Sequence, residues 1–137
     1  MLQQKNLPTI LIVDDDKDDQ FFITRAIKDV IPHAEVRSFF DGTEVMDYLY
    51  NRDGMPDLIF LDLNMNKMNG RSTITLLKQD EFFFKIPVVI LTTSTSTNDR
   101  AELTGLGADD FYTKPVGDTE LKKIVEKVKR KWLSEET

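Results

Sequence analysis

The sequence predicts an α/β protein of the (βα)5 type, a doubly wound parallel sheet with helices on both faces. Short apolar runs rich in β-branched residues alternate with stretches of helical period along the 137 residues, and this alternation is typical of a parallel sheet. The first and third runs, TILIV and LIFL, are apolar on both sides of the chain. The central strands of a sheet covered on both faces have this pattern.

The predicted elements alternate strictly from strand to helix. Five strands are predicted, at Thr9–Val13, Val36–Phe39, Leu58–Leu61, Val88–Leu91 and Phe111–Thr113. Five helices follow them, at Gln20–Val30, Thr43–Tyr50, Arg71–Gln79, Asn98–Leu106 and after Gly117. The first helix has one apolar face, formed by Phe22, Ile23, Ala26, Ile27 and Val30. The last helix has Asp118 as its predicted N-cap.

Composition excludes several classes of protein. The chain has no cysteine, which excludes zinc fingers, thiol nucleophiles and disulfide scaffolds. It has 18 Lys and Arg residues against 24 Asp and Glu residues, a net charge of −6, whereas DNA binding requires clustered positive charge. No apolar run approaches the roughly 18 residues of a membrane span, and the start MLQQKNLPT has no signal-peptide pattern. We therefore expect a cytoplasmic protein that binds neither DNA nor membranes.

The length predicts one domain over residues 1–137, with a core from about residue 8 to residue 132. After Trp132 only LSEET remains. We therefore expect no effector domain.

Polar residues end four of the predicted strands. Asp14 and Asp15 follow the first strand, Asp62 the third, Thr92 the fourth and Lys114 the fifth. Ligands of open α/β sheets bind at the carboxyl ends of the strands, so these side chains are expected to converge on one edge of the sheet. That convergence is the strongest functional signal in the sequence.

The converging groups suit phosphoryl transfer. Carboxylates about 4 Å apart repel each other by about 4 kcal/mol at an effective dielectric constant of about 20, so they must take up protons or hold a cation. Mg²⁺ prefers such oxygen ligands. Thr92 can donate a hydrogen bond to a phosphoryl oxygen, Lys114 can supply a positive charge, and one carboxylate can act as the nucleophile.

These residues resemble the receiver domain of two-component response regulators, from about Pro8 to Trp132. The segments that carry the likeness are ILIVDDD, PDLIFLDLNMNKMNG, KIPVVILTT and GADDFYTKP. The resemblance implies a flavodoxin-like sheet in the order 2-1-3-4-5. It also implies a phosphorelay in which a sensor histidine kinase phosphorylates Asp62. The protein would then be no enzyme beyond its own phosphorylation and dephosphorylation.

The resemblance further implies the roles of the other site residues. Mg²⁺ would be held by Asp15, Asp62 and the backbone carbonyl of Asn64, with Asp14 acting mostly through water. Thr92 and Lys114 would contact the phosphoryl oxygens, and Thr92 and Phe111 would form the switch. The bond between Lys114 and Pro115 would be cis.

Two features depart from the family pattern. The loop after Asp62 usually carries a proline where this chain has Asn66, which predicts a less rigid loop. The additional acidic residue Asp16 leaves open a metal pair formed by Asp15 and Asp16.

Several partners are also predicted. Phe21 lies opposite the apolar face of the first helix, which suggests a docking contact for the kinase. The WL-containing tail and the LTTSTSTND loop are similar to those of single-domain regulators that serve phytochrome-like kinases. A histidine phosphotransfer protein is a further possible partner, and the basic face of the last helix suggests a homodimer. The run Phe82–Phe84 is expected to plug the core at the far end of the sheet.

Two alternative functions remain open. One is a phosphatase of the haloacid-dehalogenase type with Asp14 as the nucleophile, although Asp18 stands where its leading motif requires Thr or Val. The other is a degenerate receiver that serves only as a binding module.

Overall fold

Five strands and five helices alternate along the chain in a computed structural model that describes residues 7–52, 54–65 and 67–133. The strands are β1 (Thr9–Val13), β2 (Glu35–Phe39), β3 (Leu58–Leu61), β4 (Val88–Thr92) and β5 (Asp110–Thr113). The helices are α1 (Lys17–Val30), α2 (Gly42–Asn51), α3 (Gly70–Gln79), α4 (Thr97–Gly105) and α5 (Asp118–Trp132). All strand pairs are parallel, in the order β2-β1-β3-β4-β5. The predicted fold class and strand order are confirmed.

The central strand β1 contributes to a core on each face of the sheet. Leu11 and Val13 belong to one cluster, and Ile10 and Ile12 belong to the other. The first cluster is completed by residues of α2, α3 and α4, namely Val45, Met46, Leu49, Ile74, Leu77 and Leu103. The second is completed by residues of α1 and α5, namely Ile23, Ala26, Ile27, Leu121, Val125 and Val128. Helices therefore cover both faces, as a sheet of apolar parallel strands requires.

Side-chain caps start four of the five helices. The N-caps are Asp16, Asp41, Asn69 and Ser96, and each side chain accepts a hydrogen bond from a backbone N–H of the first turn. The N-cap of α5 is Gly117, which has no side chain to cap with. The prediction of Asp118 as N-cap is therefore wrong. Asp118 is the first helical residue, where its negative charge interacts favourably with the helix dipole and stabilises the helix.

The first helix begins earlier than the sequence predicts. Ile23, Ala26 and Ile27 of its predicted apolar face are buried, but Phe22 is not. Because Asp16 accepts hydrogen bonds from the N–H groups of Asp18 and Asp19, α1 starts at Lys17 and not at Gln20. Phe22, predicted on the buried face, is 43% exposed, and Gln20 is buried instead. The additional turn brings the start of α1 over the carboxyl end of β1.

The three phenylalanines before β4 divide between core and surface. Phe83 is buried and its ring packs against Tyr50, whereas Phe82 and Phe84 are exposed. The core plug predicted for this run is therefore confirmed for Phe83 alone.

Gly70, the first residue of α3, packs against the backbone that carries Asp62. A Cβ atom at Gly70 would lie 2.4 Å from the Asp62 carbonyl oxygen and 2.8 Å from Leu63 Cα. Because backbone atoms cannot swing away as a flexible side chain can, we expect Gly70→Ala to lower the free energy of unfolding by about 2 kcal/mol. Urea unfolding at neutral pH measures this loss.

Gly105→Ala is the matched control. Gly105 ends α4, and a Cβ atom there would meet no described heavy atom within 4 Å. Alanine is the better helix former, so stability should be unchanged or should rise by up to about 1 kcal/mol. Equal losses in the two variants would contradict the role assigned to Gly70.

Candidate functional site

Asp14 and Asp62 lie next to each other at the carboxyl ends of β1 and β3. The sheet ladder continues through both residues, because the Asp14 N–H donates to the Phe39 carbonyl at 3.0 Å and the Asp62 N–H donates to the Val13 carbonyl at 2.9 Å. Both residues are buried. Carboxylate oxygens of Asp14, Asp15 and Asp62 lie within 4.8 Å of one another. The structure thus brings together the three carboxylates that the sequence placed at this edge.

Burial disfavours negative charge on these groups. It raises the pKa of Asp14 to about 6, although a hydrogen bond from Lys114 opposes the shift. It also raises the pKa of Asp62, against the charge of Lys114 and a hydrogen bond from the Thr92 side chain. Neighbouring carboxylates repel one another strongly at this separation. The cluster therefore favours a proton or a cation.

Lys114 reaches into the carboxylate cluster from the end of β5. Its Nζ atom lies 2.6 Å from Asp14 Oδ2, 2.7 Å from Asp19 Oδ2 and 3.7 Å from Asp62 Oδ2. Burial alone would lower the pKa of Lys114, but the hydrogen bonds to Asp14 and Asp19 outweigh it and raise that pKa. Lys114 therefore stays charged at neutral pH, and its single charge cannot balance three neighbouring carboxylates.

Thr92 ends β4 and is fully buried. Its side chain lowers the pKa of the neighbouring Asp62 carboxyl by hydrogen bonding, and its Oγ1 accepts the N–H of Ser94 at 3.4 Å. The Ser94 hydroxyl donates to Asp99 in α4 at 2.6 Å, and the Ser94 carbonyl accepts the hydroxyl of Thr113 in β5 at 2.8 Å. Ser94 therefore links the hydroxyl at the site to two neighbouring elements.

Phe111 lies in β5, three residues before Lys114. Its ring is packed in the core and is 4% exposed. The guanidinium carbon of Arg100 in α4 lies 5.6 Å from the ring centroid. The aromatic residue at the predicted switch position thus points inward in this structure.

The loop after β3 carries the remaining predicted ligand. Asn64 follows Asp62 by two residues and is exposed at the same edge of the sheet. Asn66 lies outside the described residues. Asp16 serves as the N-cap of α1 and does not belong to the acidic cluster found among the described residues. The alternative metal pair of Asp15 and Asp16 is therefore not supported.

The bond between Lys114 and Pro115 is trans, because the described residues contain no cis peptide bond. The cis bond implied by the resemblance is therefore wrong for this structure. The trans form of a bond to proline is the more stable one by about 0.5–1 kcal/mol.

Sequence reasoning missed two residues of the site. Asp19 is not among the predicted site residues but forms an ion pair with Lys114. Gln20 is buried, and its side-chain amide donates to the carbonyls of Asp14 at 2.8 Å and Phe39 at 2.9 Å. The available signal was the Asp16 cap, because a helix that starts at residue 17 carries Asp19 and Gln20 in its first turns, beside the end of β1.

Residues 10–126 match the response regulator receiver domain family. The chain belongs to this family. The assignment favours the receiver over the phosphatase alternative with Asp14 as the nucleophile, and the cluster of Asp14, Asp15 and Asp62 fits phosphorylation.

Two curated relatives match the receiver along most of their length. It is 32% identical to the probable methanogenesis regulatory protein FilR2 of Methanothrix harundinacea over 128 residues, which cover 90% of this chain and 83% of the relative. It is also 32% identical to the response regulator Rcp1 of Synechocystis over 139 residues, which cover 97% of this chain and 95% of Rcp1.

Two solved structures share the fold. One is the phosphorylated cyanobacterial phytochrome response regulator RcpA, with a TM-score of 0.86 and 34% identity over 96% of this chain and 98% of RcpA. The other is the Mn²⁺-bound form of Rcp1, with a TM-score of 0.82 and 31% identity over 95% of this chain and 97% of that structure.

No helix within residues 7–133, positions 53 and 66 apart, has the length and apolar character of a membrane span.

Asp14→Asn tests the electrostatic cost of the carboxylate cluster. Folding raises the pKa of Asp14 from 3.8 to about 6, so the folded state binds more protons than the unfolded state between these pH values. Stability is therefore lost as the pH rises through this range. We expect Asp14→Asn to be more stable than the wild type by about 3 kcal/mol at pH 7.5, and this gain to become small near pH 4. Urea unfolding in EDTA at both pH values measures it.

Asp110→Asn is the control of opposite sign. Burial alone would raise the pKa of Asp110, but hydrogen bonds from Lys131, Tyr112 and Trp132 lower it. Removal of this charge should therefore destabilise the protein at pH 7.5. If Asp14→Asn also proved less stable than the wild type at pH 7.5, the cost assigned to the cluster would be wrong.

Proposed function

We propose that Asp62 is the phosphoacceptor of this receiver domain and that a sensor histidine kinase supplies the phosphoryl group. The observation that carries the proposal is the convergence of Asp14, Asp15, Thr92 and Lys114 around the buried Asp62 carboxylate. Catalysis of phosphoryl transfer consists mainly of positioning and charge stabilisation, and these groups provide both.

In the proposed reaction, a carboxylate oxygen of Asp62 attacks the phosphorus atom of a phosphohistidine. A new O–P bond forms while the N–P bond breaks, and its electron pair goes to the imidazole nitrogen of the donor. Thr92 donates a hydrogen bond to one phosphoryl oxygen, and the ammonium of Lys114 binds another. The chain thus catalyses its own phosphorylation and dephosphorylation and does not turn over a separate substrate.

The metal proposed for this site is Mg²⁺. Asp14, Asp15, Asp62 and the carbonyl of Asn64 offer oxygen atoms alone, which suits a hard divalent cation. The uncompensated negative charge of the cluster supports the same assignment, and Rcp1 has been crystallised with Mn²⁺. When bound, Mg²⁺ would neutralise charge on the phosphoryl oxygens.

The proposed switch begins at Thr92. If its hydroxyl moves toward a phosphoryl group on Asp62, the hydrogen bond that it accepts from Ser94 must adjust. Ser94 in turn contacts Asp99 in α4 and Thr113 in β5, and Arg100 of α4 contacts the ring of Phe111. Phosphorylation would thereby favour a different arrangement of α4 and β5 and so alter partner binding.

The proposed docking site for the kinase lies on α1. Phe21 is 58% exposed and packs edge-on against Phe22, with the guanidinium of Arg25 near both rings. Beside them, residues of α1 and of the turn after β5, including the fully exposed Val116, line a cavity of about 240 Å³. Exposed apolar side chains next to a functional site are typical of an interaction surface.

The proposal also covers the location of the protein, its domain organisation and its further partners. We place the protein in the cytoplasm, where a histidine kinase would reach it, and propose that residues 10–126 act as one receiver domain. The near-complete coverage of Rcp1 and RcpA supports this organisation. A histidine phosphotransfer protein is a further proposed partner. The homodimer predicted from the basic face of α5 is also a proposal. Two lysines of that face, Lys122 and Lys131, form ion pairs with Asp29 and Asp110 of the same chain.

Acetyl phosphate tests the acceptor directly. In the presence of Mg²⁺ we expect the intact mass of the wild type to increase by one phosphoryl group, and we expect EDTA to abolish the increase. Asp62→Asn should show no adduct, because the amide is a poor nucleophile. No adduct on the wild type would refute the proposal. In that case, steady phosphate release abolished by Asp14→Asn would favour the phosphatase, and no turnover would favour a binding module.

Phe21→Ala tests the docking surface. We expect transfer from a cognate histidine kinase to slow by roughly fivefold or more, since truncation of an interface aromatic commonly costs at least about 1 kcal/mol. Phosphorylation by acetyl phosphate should stay unchanged, because Phe21 is outside the carboxylate cluster. Rates with both donors, followed by intact mass, provide the measurement.

Phe82→Ala is the matched control. Phe82 is 65% exposed and lies at the opposite end of the sheet, so neither donor should be affected. Equal slowing with both donors in Phe21→Ala would show that Phe21 supports the fold or the chemistry instead of docking.

A further inference from the structure

An ion pair ties the functional lysine to the first turn of α1. Asp19 Oδ2 lies 2.7 Å from the Nζ atom of Lys114. The lysine side chain is 11% exposed and that of Asp19 is 35% exposed, so the pair is largely screened from water on the lysine side. The backbone N–H of Asp19 donates to the Asp16 cap at 3.1 Å, which fixes the aspartate relative to the end of β1.

Asp19 competes for the ammonium group that the phosphoryl chemistry requires. Lys114 lies 2.6 Å from Asp14 and 2.7 Å from Asp19 but 3.7 Å from Asp62. Asp14 is shared with the acidic cluster at the proposed metal site, whereas Asp19 is outside that cluster. To contact a phosphoryl oxygen on Asp62, the ammonium must move away from these partners or share its donors with them.

We propose that Asp19 is a positioning residue that holds Lys114 on the α1 side of the site and thereby opposes phosphorylation of Asp62. The inference rests on the proposed function, in which Lys114 binds the phosphoryl group. It adds a residue outside the metal cluster that sets how readily the site accepts a phosphoryl group.

Two physical effects of Asp19 act in the same direction. Its carboxylate attracts Lys114 away from Asp62. It also adds a negative charge to a site that must accept a phosphoryl group carrying negative charge of its own. Removing the charge of Asp19 should therefore release the lysine and reduce the repulsion of the incoming group.

Asp18 provides a matched control. It lies in the same first turn of α1, is exposed, and contributes the same charge at the helix N-terminus. Among the described residues its side chain has no ion pair with Lys114, whose acidic partners are Asp14, Asp19 and Asp62. Asp18→Asn thus removes an equal charge and an equal helix-dipole interaction without freeing the lysine.

The experiment measures phosphorylation of the full chain by acetyl phosphate and Mg²⁺, with beryllofluoride as a non-reacting phosphoryl mimic. We expect Asp19→Asn to raise the apparent second-order rate constant for phosphorylation about threefold to tenfold and to lower the half-saturating beryllofluoride concentration by a similar factor. Asp19→Glu, which keeps the charge, should stay close to the wild type. Asp18→Asn should change either quantity less than about twofold, because exposed charges are screened by salt.

The outcomes separate this inference from the proposed function. If the wild type gains no phosphoryl group, the proposed function itself fails. If the wild type is phosphorylated and Asp19→Asn is unchanged or slower, Asp19 does not oppose the reaction. If Asp18→Asn and Asp19→Asn accelerate it equally, the effect is one of general charge and the anchoring of Lys114 is wrong. Thermal unfolding of each variant confirms that folded proteins are being compared.

Discussion

The dominant constraint in this molecule is the concentration of negative charge at one edge of a buried sheet. β1 and β3 are neighbours in register, with Val13 opposite Leu61, so the next residues of both strands, Asp14 and Asp62, must lie side by side. Burial raises the pKa of both carboxyls. Bringing these carboxylates together therefore costs stability, and a proton or a bound cation would reduce that cost.

Lys114 partly offsets this cost and connects the site with the rest of the fold. Its side chain contacts Asp14 and Asp19, and its backbone N–H donates to the carbonyl of Thr92 at the end of β4. The Thr92 hydroxyl accepts a hydrogen bond from the Ser94 N–H, and the Ser94 hydroxyl donates one to Asp99 in α4. One side of the site is therefore coupled to α1, which carries the proposed docking surface, and the other to α4 and β5, which carry the proposed switch.

The elements that were easiest to predict are those whose environment is uniform. β1 and β3 match their predicted bounds because each is buried along its whole length, so the apolar run ends where the strand ends. The site residues were predictable for a related reason, since a polar side chain directly after a buried strand marks the sheet edge. The errors lie at helix ends and in α1, where contacts with other elements decide: the N-cap of α5 is Gly117 and not Asp118, and in α1 Gln20 is buried while Phe22 is exposed.

The sequence by itself determined the alternation of strands and helices and the five side chains at the strand ends, because the hydrophobicity of the residues and its period are local properties of the chain. Only the tertiary structure decided which distant groups meet there. Asp19 and Lys114 are 95 positions apart in the sequence. The side chain of Gln20 in α1 donates a hydrogen bond to the carbonyl of Phe39 in β2. Such contacts depend on how α1 lies against the sheet. That placement follows from packing of the whole core, and no local pattern encodes it.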